Sequence, residues 1–178
     1  MAVMTRASMS GWSRFALRLA VGGGFIAHAY AKLSRGPDAF AAVLHGLLVP
    51  APHIMAWLTI LVELVGGLAV VFGAFIFVAS VPLAAVLVVA MLTVHWHYGF
   101  NSIKLVAVTA AGPQFGPPGV ELNVLYLACL IALVLGGPGP LAADRLLRRR
   151  AAPGRPGRLA LAGHVRVGPL AVERENLG

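Results

Sequence analysis

Glu63, His28 and Lys32 are the residues of this sequence best placed to do chemistry, because each stands inside an otherwise apolar stretch. Glu63 lies near the middle of residues 54–73, a run of roughly the 20 residues a helix needs to cross a bilayer. A charge at the centre of such a helix costs roughly 2.5–3.5 kcal/mol, so the acid must be protonated, paired inside a bundle or turned to a polar cavity. Lys32 follows His28 at i+4, one helical turn away on the same face. A buried carboxyl beside a cation and an imidazole has the parts of a proton relay. The structural alternative is an acid paired with Lys32, or with a hydroxyl, only to fix helix register.

Further polar residues sit at the ends of the later apolar blocks: His95 and His97 close the third, and Glu121 and Asn123 open the fourth. With the first block running outward and the second inward, all four blocks contribute polar side chains to one half of a bundle, the outer half. Such a site suits a quinone. Its reduction to quinol takes two electrons and two protons, and its carbonyl oxygens need donors such as imidazole. His95, His97, Trp57, Asn101 and Glu121 are the candidate quinone-binding residues, with Glu63, His28 and Lys32 handling protons. Trp57, Trp96, Tyr98 and Phe25 are expected to line an apolar slot for the ring. His95 and His97, at i and i+2, point about 200° apart on a regular helix and would not share one ion. A metal site would need one of them with His28, His45 or His53 and Glu63. Haem between His28 and His95 would rest on two lone helical histidines. No metal site is assigned.

These residues need elements to position them. Of 178 residues, 59% are apolar and 11% charged, a balance unlike that of a soluble domain. Four apolar blocks of spanning length occur, at residues 12–33, 52–74, 75–98 and 120–137. The expected fold is an all-α integral membrane four-helix bundle, its second and third helices joined in a tight hairpin around Gly73. Ser34-Arg35-Gly36-Pro37 reads as a turn, with Asp38 capping a short outer helix to Leu48. Gly22-Gly23-Gly24 and Gly66-Gly67 mark expected helix crossings, since small residues let helices approach closely in lipid. Pro82 is expected to kink the third helix, and residues 99–119 form a Gly- and Pro-rich outer loop. Residues 1–11 read as an N-terminal segment, 12–147 as the membrane domain and 148–178 as a disordered basic tail.

Eleven of the fourteen Lys and Arg residues lie near the two termini, which four spans leave on one side. The positive-inside rule then makes both termini cytoplasmic. The net charge of +8 comes mostly from the tail, which suits anionic headgroups or a cytosolic partner and gives no reason to invoke nucleic acid. The single cysteine, Cys129, excludes dithiol chemistry within the chain.

The ordered set Arg18-Leu-Ala-Val-Gly-Gly-Gly-Phe-Ile-Ala-His28, Ala31-Lys32-Leu33, Phe40, Gly46, Pro50, Glu63-Leu-Val-Gly66-Gly67, Gly73, His95, Asn101 and Gly136-Gly-Pro-Gly139 resembles the DoxX family of small four-helix bacterial membrane proteins. The resemblance covers about residues 12–147. It implies a multi-pass inner-membrane protein linked to redox function, one branch resembling a subunit of thiosulfate:quinone oxidoreductase and others assembling with oxidative-stress proteins. Glu63 with Gly66-Gly67 is the firmest match, then Lys32. The chain lacks the basic residue many relatives carry after Gly73, having Ala74-Phe75-Ile76 instead. Three readings compete: a quinone-interacting oxidoreductase subunit, a non-enzymatic anchor that recruits a redox partner or cytosolic enzyme through the tail, and a small proton-coupled transporter. The last would need a second copy of the chain, because no internal repeat is evident.

Overall fold

The computed structural model of the chain describes residues 6–145, with side chains described from Gly11 onward. The basic tail at 148–178 lies outside the described residues, as do residues 1–5 of the N-terminal segment. The chain is mostly helical. Helix α1 (Arg6–Arg35) is followed by the short α2 (Pro37–Gly46), then α3 (Pro52–Phe72) and α4 (Ile76–Ala90). A π turn (Met91–His95) and a 3-10 turn (Trp96–Tyr98) prolong α4; a hairpin of β1 (Leu105–Thr109) and β2 (Gly112–Phe115) comes next, then α5 (Glu121–Gly136).

The four long helices close on one another: α1 packs on α3, α3 on α4, α4 on α5, and α5 returns to α1. Two of them are long and apolar enough to cross a membrane, α3 with mean hydropathy 2.3 and Ile76–Tyr98 with 2.5. Helix α5 is apolar but has 16 residues, about 24 Å of helix at 1.5 Å per residue. The core is drawn from all four: Val21 and Phe25 from α1, Val70 from α3, Ile76 and Leu83 from α4, Leu130 and Leu133 from α5. It fills the half of the bundle nearer the α3–α4 turn. The half nearer the β-hairpin holds Lys32, Glu63, His95 and Asn123.

Glycines set the crossings. A Cβ on Gly22 would stand 2.6 Å from the Gly67 carbonyl oxygen and from Val71, so α1 and α3 meet backbone to backbone. Gly24 leaves the room that the Tyr126 hydroxyl fills, and Gly66 the room that Leu83 fills. Gly73 ends α3 in the left-handed region at φ 66 and makes the tight turn its position in the sequence suggests.

Three local expectations need correction. Asp38 does not cap α2: Gly36 occupies the cap position without a side-chain hydrogen bond, Pro37 opens the helix, and the Asp38 carboxylate instead faces His53 Nδ1 at 3.3 Å. The helix also stops at Gly46, short of Leu48. The expected all-α chain holds one small antiparallel sheet, Ala107 pairing with Gln114, Val108 with Pro113 and Thr109 with Gly112, with an irregularity between Leu105 and Ala107. Its turn works because Gly112 takes φ 112 and the Thr109 hydroxyl donates to the Gly112 carbonyl at 3.1 Å.

At the α3–α4 end the chain after α5 folds back and locks. Arg18, fully buried, donates from Nη1 to the Pro138 carbonyl at 2.5 Å and from Nη2 to that of Leu141 at 3.4 Å, while its Nε has no partner. Arg14 donates to the Gly136 carbonyl. The Asp144 N–H donates to the Gly73 carbonyl at 3.2 Å, and its carboxylate accepts the Phe75 N–H at 3.0 Å, a negative group at the start of α4 where the helix dipole favours it.

Candidate functional site

Lys32 and Glu63 form a direct ion pair from α1 to α3. Glu63 is 5% exposed. The Gly22–Gly67 approach brings the helices close enough for the two side chains to meet, and α2 covers them: Lys32 Nζ sits 5.2 Å from the centre of the half-buried Phe40 ring, a cation–π contact. A pair taken out of water in this way depends on mutual geometry, because each charge left alone there would be uncompensated.

His28 is exposed on α1, one turn from Lys32, with its ring edge-on to Tyr126 of α5 at 6.4 Å between centroids. It lies within electrostatic reach of Lys32, Glu63 and His95. Tyr126 in turn stacks edge-on against Phe25 at 5.4 Å, so the polar group rests directly on the apolar core. His95 ends the π turn of α4, and its Nδ1 lies 3.0 Å from the Pro118 carbonyl oxygen. A carbonyl oxygen only accepts, so Nδ1 carries the hydrogen; when the ring is neutral, Nε2 is its proton acceptor. The π turn itself is a departure from regular helix of a kind that concentrates at functional sites. Asn123 of α5 is buried and donates to the Leu87 carbonyl at 3.3 Å, tying α5 to α4 beside this turn.

The other predicted site residues are not drawn into the group. His97, in the 3-10 turn, is exposed, and so is the Asn101 side chain. Glu121 braces the loop: its carboxylate accepts the Ser102 N–H at 2.8 Å, and its own N–H donates to the Phe100 carbonyl at 3.0 Å. The expected aromatic slot is not formed. Phe25 is inside the core, Trp57 is half exposed on α3 in an open apolar groove with His53, Ile54, Leu58 and Leu61, and Trp96 points outward from the end of α4. Spacing along each helix gave their depth but not their direction around the axis, which is why they seemed able to converge. His45 is exposed, and no group of three His, Cys, Asp or Glu residues able to hold a metal occurs among the described residues.

Sequence reasoning passed over Arg18 and Tyr126. Arg18 counts as one more basic residue near the N-terminus, and only the return of residues 138–141 onto α1 gives it buried partners. The triple glycine at 22–24 was the available signal for Tyr126, since a bulky side chain must fill the space beside Gly24.

Two apolar helices of spanning length, one of them joined to α1 by a buried ion pair, point to a membrane protein. The family model of DoxX matches residues 13–96, from α1 to just past the π turn, and supports membership of the DoxX family. No curated protein and no solved structure matches it.

Proposed function

We propose that this DoxX protein is a subunit of a quinone-linked oxidoreductase in a bacterial inner membrane, with its polar site in the half of the bundle nearer the β-hairpin. The observation that carries the reading is the Lys32–Glu63 pair buried between α1 and α3, with the exposed His28 beside it. Glu63 and Lys32 hold an exchangeable proton among apolar helices, and His28 offers an imidazole to a carbonyl oxygen arriving along the bilayer. The ring of such a substrate would lie against His28 and Tyr126, not against the four aromatic residues first expected. The electrons come from a donor protein, and this chain supplies protons and a seat. His95, held through Nδ1, is suited to pass protons between this group and the aqueous face at the hairpin end.

Lipid extraction of the purified protein tests this. Near-stoichiometric quinone in the wild type, lost in Glu63→Gln, is the expected result; quinone absent from both ends the reading.

A second reading is favoured by one observation, that Lys32 and Glu63 already satisfy each other. In it the pair only fixes the α1–α3 crossing, and the protein anchors a redox or oxidative-stress enzyme through its basic tail. Deleting residues 151–178 would then abolish co-purification of that enzyme, while an oxidoreductase subunit would keep its turnover. The packed α3–α4 end, closed by Arg18, speaks against the transporter alternative.

A further inference from the structure

The hairpin at residues 105–115 stands apart from the site and invites its own explanation. It is a sheet of two strands only, with two open edges, and in water such a hairpin is marginal at best. Its apolar side chains are left uncovered by the bundle: Ile103, Val106 and Val108 are 79%, 71% and 74% exposed, and Leu105 and Phe115 are exposed as well, while the pairing of Val108 with Pro113 and of Leu105 with Phe115 puts the two valines and Phe115 on one side. From Gly99 to Val120 the only charge is Lys104, and there is no acid. A hairpin meant for water would carry charge.

Its attachment points to a different neighbour. The stretch Ile76–Tyr98, of spanning length, runs straight into this segment, and the exposed Trp96, Tyr98 and Phe100 continue the apolar surface from the helix end into the loop. Tyr and Trp at a helix end settle at headgroup level. The open strand edges set a limit on depth, because unpaired N–H and C=O groups are not tolerated in hydrocarbon but find water and headgroup partners at the boundary.

We infer that residues 103–115 form an interfacial hairpin seated at the headgroup–acyl boundary of the leaflet at that end, its valines and Phe115 toward the acyl chains and Lys104 toward lipid phosphates. The seat has a consequence for the polar site: Pro118, three residues beyond β2, supplies the carbonyl that holds His95, so lipid contact steadies the rim of the site. The inference does not depend on the quinone reading.

The test uses the full chain with Cys129→Ser, which removes the sole cysteine, and Val108→Cys labelled with an environment-sensitive fluorophore. Ile103→Cys serves as a second label position if the first variant does not purify as a single species. In vesicles of phosphatidylcholine and phosphatidylglycerol, blue-shifted emission is expected, with quenching by lipids spin-labelled near the headgroup several-fold stronger than by aqueous iodide or by labels at the chain end. Water-like emission quenched by iodide overturns the proposal, as does shielding from every quencher, which marks a protein contact, or strongest quenching from the chain end.

Discussion

The character of the site turns on one charge pair. Removing one partner of a buried pair leaves the other uncompensated, a loss of about 3–5 kcal/mol, whereas replacing both by apolar residues is often close to neutral. Lys32→Met is therefore expected to lower the thermal unfolding midpoint in detergent well below wild type, and Lys32→Met/Glu63→Leu to recover most of it. A single variant as stable as wild type would mean that Glu63 is satisfied by something other than Lys32. The pair was legible in the sequence because a carboxylate inside an apolar run demands a partner, and Lys32 was the cation at matching depth. Arg18 was not, because its partners are backbone carbonyls of residues 138 and 141, and a carbonyl leaves no trace in residue type.

Among the elements, the α1–α3 and α1–α5 crossings decide whether the polar residues meet. A methyl group on Gly24 would collide with the Tyr126 hydroxyl and press on its ring. Gly24→Ala is expected to cost about 1–3 kcal/mol through overpacking. Tyr126→Phe in the same chain should restore part of that loss, measured by denaturant titration of both variants; no restoration would show that the strain lies in the backbone. The glycine runs announced these crossings because only small residues let helices touch. The hairpin gave no such notice: residues 105–108 are a four-residue apolar run in a segment rich in glycine and proline, too short to separate strand from loop by period. The aromatic slot failed for the complementary reason, since residues of equal depth on different helices share a cavity only if the rotation of each helix allows it.

For the whole molecule, the division is between a half filled by Val21, Val70, Leu83 and Leu133 and closed at its end by Arg18, and a half under α2 and the hairpin that holds the Lys32–Glu63 pair. The four-span topology we propose is tested by cysteines placed at Gly46 and Ala110, expected to react with a membrane-impermeant reagent from one side, and a cysteine at Ala74, expected to react only from the other. Labelling of Gly46 and Ala74 from the same side would refute the topology. The lock at the opposite end from the hairpin also bears on how the chain is made. Arg18 emerges from the ribosome 120 residues ahead of Pro138, whose carbonyl it needs. For most of synthesis its guanidinium has neither carbonyl, and no earlier segment supplies them. The first helix can therefore take its final place only when the last one has been translated and turned back. Closure of the bundle waits on the segment that follows α5, and Arg18 is the residue that registers its arrival.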